Sequence, residues 1–234
     1  MTSPAKDGHG APPRDGNNKR ERILDAAVKV FADKGFYNAK VSEIAREAGV
    51  ADGTIYLYFK SKDDLLISLF EARMAEVNEN LRAALASAAD PIAKLRAAVR
   101  RHLGLVEQHP HVAEVLTVEL RQSAKFMKEY SNPIFGEFLK LIASTIEEGQ
   151  RSGALRRDLD PPIIARALFG ALDELALAWL LKRRGAPGRR MEGLELSHAA
   201  DHLANFFIDG LRQPDSASPP TNRSGGGPAS RRTP

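Results

Sequence analysis

Apolar residues recur at helical spacing along most of the chain, and no segment alternates apolar and polar residues convincingly. The pattern predicts an all-α fold. From Asn18, the residues Ile23, Leu24, Ala27, Val30 and Phe31 form one stripe, which Gly35 ends. Val41, Ile44, Ala45 and Ala48 follow at i, i+3, i+4 and i+7, and Gly49 supplies the left-handed residue that closes a helix cheaply. A second short helix is expected from Gly53 to about Phe59, with Ile55 inward and Thr54, Tyr56, Tyr58 and Lys60 outward. Asn38 and Asp52 are the expected caps of this pair. Ser61 then opens a long helix, with Asp64 completing an imperfect capping box and Leu66, Leu69, Phe70, Met74, Val77, Leu81 and Leu85 as its stripe. Asp90-Pro91 and Asp160-Pro161 each place a cap before a proline at the first helical position. Further helices are expected at 91–108, 111–125, 132–152, 161–183 and about 192–211.

Residues 1–17 and 212–234 are rich in Pro, Gly and polar residues without periodicity, so a disordered arm and a disordered tail are expected. A plain tail is the simpler reading of the arm, and a minor-groove arm the sharper one. Between them the chain divides into residues 18–64, a three-helix unit, and residues 65–211, a larger helical unit. The 234 residues include no cysteine, which removes disulfides and thiolate chemistry. No run of 18 apolar residues and no secretory leader is present, so the cytoplasm is the expected compartment and no membrane is an expected partner. The net charge of +4 is compatible with nucleic acid but decides little. Within residues 1–64 there are 11 basic and 10 acidic residues, so DNA attraction there depends on placement on one face. Lys19, Arg20 and Arg22 crowd the start of the first helix, where either phosphate contact or plain solvation accounts for them.

Two short helices joined by a glycine turn, presenting hydroxyls and lysines, form the helix-turn-helix pattern. The stretch IAREAGVADGTIYLYFKSKDDLL resembles the DNA-binding signature of the TetR family of transcriptional repressors. Ile44, Ala45, Ala48, Gly49, Val50, Gly53, Thr54, Ile55, Tyr56, Tyr58, Phe59, Lys62, Asp63 and Leu65 all stand at its offsets. The family often carries a Thr or Ser pair before the first motif helix, and here Ala39-Lys40 stand there. The resemblance implies operator DNA as partner, with Lys40, Ser42, Ala51, Asp52, Gly53, Thr54, Tyr56, Tyr58, Lys60 and Lys62 at the interface. Tyr56 and Lys62 are expected on phosphates, and Thr54 with Ala51–Gly53 near bases.

In the larger unit, segment 161–183 is apolar around most of its circumference and must bury against a core or a partner. Ala167, Gly170, Ala171 and Ala178 allow close approach of another helix, so helices 161–183 and 192–211 are expected to form a two-fold four-helix dimer interface. Polar residues Glu119–Ser123 directly follow an apolar face, and Arg96, Arg100, Arg101 and His102 lie on the preceding helix. An internal salt bridge is the plainer reading; a pocket for an anionic head and a greasy tail is the sharper one. The expected pocket residues are Arg100, Leu103, Leu120, Arg121, Gln122, Phe138, Phe169 and Trp179, although the aromatics also suit a plain core. VELRQS and FGALDELALAWL, taken with the motif, resemble the TetR-type FadR regulators of fatty-acid degradation. That resemblance implies repression of fatty-acid degradation genes and release by long-chain acyl-CoA. A TetR-family repressor answering another hydrophobic ligand, such as a drug under efflux control, is the alternative; a helical lipid carrier or enzyme is a third. No catalytic constellation supports an enzyme, and no cofactor is expected. His198 and His202 have i, i+4 metal-ligand spacing but no evident third ligand, so no metal is expected.

Overall fold

The computed structural model describes residues 14–123, 133–185 and 195–212. Among them the chain forms α1 (Arg14–Lys34), α2 (Val41–Ala48), α3 (Asp52–Tyr56), α4 (Lys62–Ala86), α5 (Pro91–Gln108), α6 (Pro110–Thr117), a 3-10 turn (Glu119–Gln122), α7 (Pro133–Ser152), α8 (Pro161–Arg183) and α9 (Leu196–Leu211). No strand occurs among the described residues; Leu155 and Arg212 form one isolated antiparallel bridge. The fold is all-α, as the periodicity predicts.

Caps written in the sequence set several boundaries. The Ser61 side chain accepts from the Asp64 N–H at 3.1 Å. The Asp64 carboxylate returns to the Lys60 N–H at 2.7 Å, one residue earlier than a capping box requires. Asp90 and Asp160 accept from the N–H groups of Ala93 and Ile163 at 2.8 and 3.0 Å. Gly35 and Gly49 hold φ of 77° and 64°, ending α1 and α2 in the left-handed region. Gly149 is needed for another reason: a Cβ there would collide with the Leu155 side chain, which packs over the end of α7.

Several expectations are corrected. The first helix starts at Arg14, so the end of the expected 1–17 arm is helical, while 1–13 lie outside the described residues. Asn38 does not cap α2; its amide donates to the Lys34 carbonyl at 3.2 Å. The Lys40 N–H is instead met by the Glu43 carboxylate at 3.1 Å. Asp52 is the first residue of α3 rather than its cap, which is Ala51. That helix stops at Tyr56, and the chain turns so that Phe59 can bury before Ser61 opens α4. The single helix expected at 111–125 breaks after Thr117, where the β-branched Thr117–Val118 pair is a poor continuation, and tightens into the 3-10 turn. The remainder of that segment, and 213–234, lie outside the described residues.

One apolar core runs through the chain. In the N-terminal unit Ile23, Leu24 and Phe31 of α1 close over Ile44, Ile55 and Phe59, all fully buried or nearly so. Long helix α4 starts in this unit and continues among α5 and α7 of the larger one. Helix α9 lies along α5, and α8 packs on α7 and α6. The two units therefore share a helix and a core.

Candidate DNA interface and ligand cavity

The reading head is built from the inside. Buried Ile44, Ala45, Ala48 and Ile55 orient α2 and α3, and the Gly49 turn closes with the Val50 N–H on the Ala45 carbonyl at 2.9 Å. Arg22 of α1 donates to the Ala48 carbonyl at 2.6 Å and so caps the end of α2, rather than waiting for a phosphate. Arg20 lies over the Phe59 ring at 5.5 Å. Exposed ion pairs Lys29–Glu47 and Lys34–Glu43, at 2.9 and 2.7 Å, lace α1 to α2.

This framework brings Lys40, Ser42, Asp52, Tyr56, Lys60 and Lys62 together around one shallow groove, with Ser61 between the last two. Lys40, Ser42, Ala51, Asp52, Gly53 and Lys60 are exposed, Tyr56 is 58% exposed, and Thr54 and Tyr58 are half-buried at its edge. Lys62 departs from its expected role. Its ammonium donates to the carbonyls of Phe36, Tyr37 and Ala39 at 2.7, 3.1 and 3.1 Å, and stands 4.7 Å from the Phe36 ring centroid. All three protons are committed, so Lys62 holds the loop before α2 instead of offering itself to phosphate. Leu57, absent from the expected set, is 81% exposed beside Tyr56 in the chain, though it does not line the groove. Its signal was available: with Ile55 and Phe59 buried at i, i+4, the residue between them must point away.

A second site lies in the larger unit. A cavity of about 350 Å³ is lined by Phe70, Met74 and Val77 of α4, by Leu105 and Val106 of α5, and by Val112, Ala113 and Leu116 of α6. Phe135 of α7 and Phe169 of α8 close it. This size and apolar lining are those of a small-molecule site. Polar groups interrupt the wall at Asp25, Arg73, Glu76, Asn80, His102, His109, Thr117 and Asp173.

Arg73 is buried and engaged by three carboxylates: Glu21 and Asp25 of α1, each at 2.7 Å, and Glu76. His102 packs edge-on against Phe138 and Phe169 at 5.6 and 6.5 Å. Burial pushes its imidazole down to about 4, against a smaller upward pull from Asp173, so the ring is neutral near neutrality.

Of the expected pocket residues whose side chains are described, only Phe169 lines the cavity. Phe138 stands behind His102 and Phe169. Leu103 and Leu120 are core residues. Arg100 is exposed and bonds Asp201 at 2.7 Å, which holds that carboxylate below its usual range. Arg121 pairs with Asp173, in keeping with the plainer reading of an internal salt bridge. Trp179 lies against Arg183 at 5.0 Å. The Gln122 side chain lies outside the described residues. The cation cluster also disperses: Arg96 bonds Asn205 at 2.7 Å, and Arg101 bonds Asn80 at the cavity wall. Only His102 of that group reaches the lumen, and it is uncharged. The missed residues come mainly from α4 and α6, whose apolar stripes look the same whether they face core or cavity.

Between the two sites run polar ties. Besides Arg73, buried Glu119 accepts from the Phe36 N–H at 2.7 Å, Ser123 donates to Asp63 at 2.7 Å, and Arg184 donates to the Ala32 carbonyl. Arg184 also meets buried Glu114 at 3.2 Å; burial raises that carboxyl's pKa and Arg184 opposes the rise.

Among the described residues no helix is long and apolar enough to cross a membrane. Residues 23–69 match the family of bacterial regulatory proteins of the tetR type, and residues 70–187 match the YsiA-like protein C-terminal region. The fatty acid metabolism regulator protein of Bacillus subtilis is 37% identical over 163 residues, covering 70% of this chain and 84% of that one. The solved fatty acid degradation regulator FadR of Bacillus halodurans superposes with a TM-score of 0.72 at 34% identity, covering 82% of this chain and 99% of that one. FadR of Bacillus subtilis, solved in complex with stearoyl-CoA, superposes with a TM-score of 0.73 at 32% identity over the same shares. With a helix-turn-helix head on a helical body that encloses an apolar cavity, this chain belongs to the TetR family of transcriptional regulators.

Proposed function

We propose that the chain works as a homodimeric repressor of fatty-acid degradation genes and leaves its operator when long-chain acyl-CoA fills the cavity. The observation that carries this reading is the cavity wall: α4 lines it with Phe70, Met74 and Val77 and is also the helix that enters the reading head. A chain inserted there bears directly on the helix that packs against α1 of the reading head. The stearoyl-CoA bound to the Bacillus subtilis relative supports an acyl chain as the occupant. Coupling requires that the ligand bind better to the dimer whose heads are misplaced for DNA. Arg101, which bonds Asn80 from outside the lumen and has no carboxylate partner among the described residues, suits an anionic head group that stays outside the cavity.

The dimer face supports the rest. Ile163 and Phe206 are 66% and 75% exposed on α8 and α9, which pack on each other, and Ala167 and Gly170 leave α8 open to close approach. Two heads on one two-fold axis meet successive major grooves. Cytoplasmic action on operator DNA follows from this role.

A specific observation also favours a second reading. The cavity lining carries Asp25, Glu76 and Asp173 against Arg73 alone, beside aromatic rings, which suits a cationic hydrophobic compound. Gel-shift titration of an operator selected from random DNA separates the readings. Release by palmitoyl-CoA, but not by palmitate, CoA or a hydrophobic cation, is the expected result. Release by the cation with no response to palmitoyl-CoA assigns the chain to drug response instead.

A further inference from the structure

Among the described residues, the cavity wall includes a buried imidazole nitrogen that the fold leaves unpaired. The His102 Nδ1 is sealed from solvent and has no hydrogen-bond partner among the described residues. A neutral imidazole carries one N–H and one lone pair, and an orphaned lone pair costs less in a dry pocket than an orphaned N–H. The favoured tautomer therefore leaves the lone pair at Nδ1 and the proton at Nε2. No protein acceptor receives that proton among the described residues, and the ring borders the lumen. The charge around the lumen is lopsided as well. Arg73 is already shared among Glu21, Asp25 and Glu76, and Asp173 is held by Arg121. Among the described residues no uncommitted cation faces the lumen, and Arg73 with its three acids is a net negative cluster.

We propose that His102 selects the occupant: it donates a hydrogen bond to an uncharged oxygen carried on a long aliphatic chain, while the acidic lining rejects the same chain ending in a free carboxylate. A wholly aliphatic tail would leave the His102 proton unpaired, and a carboxylate would enter without a counter-ion beside a net negative cluster. An ester-type carbonyl or a chain hydroxyl meets both conditions. The inference rests on the acyl-ligand reading above and adds which chemical form of the chain is recognised and by which residue.

Calorimetric titration of the full-length protein tests it with four probes: palmitoyl-CoA, S-hexadecyl-CoA (a thioether without the carbonyl), 3-hydroxypalmitoyl-CoA and palmitate. The wild type is expected to bind at least one oxygen-bearing CoA compound about 3–10-fold more tightly than the thioether, the range of one net hydrogen bond. Which compound gains identifies the oxygen as carbonyl or hydroxyl. His102→Phe keeps the ring packing and is expected to erase that preference without weakening the thioether. His102→Gln retains an N–H donor and is expected to keep part of the preference, which separates a missing donor from a damaged fold. Palmitate is expected to bind weakest to every variant. Equal binding of thioester, hydroxy-thioester and thioether by the wild type overturns the inference while leaving the acyl reading intact. A preference that survives in His102→Phe does the same, as does palmitate binding as tightly as palmitoyl-CoA. Failure of all three CoA compounds to bind overturns both.

Discussion

Lys62 and His102 each stand where chemistry was expected nearby, and the structure gives both a more specific task. Lys62 closes the loop before α2 through three carbonyls. Lys62→Ala is therefore expected to lower stability by about 1–3 kcal/mol, read as a drop in urea midpoint. Lys40→Ala and Lys60→Ala should leave that midpoint in place and reduce the salt slope of operator binding by about 1 for each phosphate no longer neutralised. An unchanged midpoint in Lys62→Ala with a flattened salt slope would return that lysine to the phosphate-binding set. His102 supplies a pH signature. The unfolded chain takes up this proton near pH 6.5 and the folded chain near 4, so the unfolded state binds more protons in between. Stability is expected to fall as pH drops from about 6.5 towards 4, by about 3 kcal/mol at most, and less steeply in His102→Phe. Parallel pH profiles for the two proteins would show that the imidazole is not buried and neutral. Caps such as Asp90 and Asp160 were legible in the sequence because they act on N–H groups three residues away. Lys62 was not, because its acceptors lie more than twenty residues upstream.

Element by element, helix α4 carries the connection. Its first turns bury in the reading head, its middle lines the cavity, and its Arg73 grips α1. The 3-10 turn after α6 adds a second path, because Glu119 bonds the Phe36 N–H where α1 has just ended at Gly35. Glu119→Ala leaves that buried N–H without a partner and should cost about 1–3 kcal/mol. It should also narrow the difference in operator affinity between the apo and acyl-CoA-bound protein, measured by anisotropy. Loss of stability with an unchanged ratio would confine Glu119 to the fold. Helices and their ends were legible from period and punctuation. The cavity was not: a stripe such as Val112, Leu116 or Met74, Val77 satisfies the same spacing whether a protein side chain or a ligand covers it. The break at Thr117–Val118 was hidden for a related reason, since an apolar period of 3.6 continues through a 3-10 turn with little change.

Across the whole molecule, the proposed function requires two copies and one equilibrium. The exposed face with Ile163 and Phe206 predicts a dimer, and Phe206→Glu placed in that interface should yield monomer by light scattering with operator affinity reduced at least about tenfold. A dimer that survives the charge would move the interface elsewhere. The small residues of 161–183 mark the expected dimer face in the sequence; the partner surface is a property of two chains and no single period encodes it. In the proposed equilibrium one apolar cavity, filled by an acyl-CoA, sets the occupancy of DNA. Fluorescence anisotropy of a selected operator, at fixed moderate salt, titrated with palmitoyl-CoA against wild-type protein, tests it most directly. Saturable release at stoichiometric ligand, with free CoA inert, is the expected result. Operator affinity that stays constant while calorimetry shows palmitoyl-CoA bound to the same protein would contradict it.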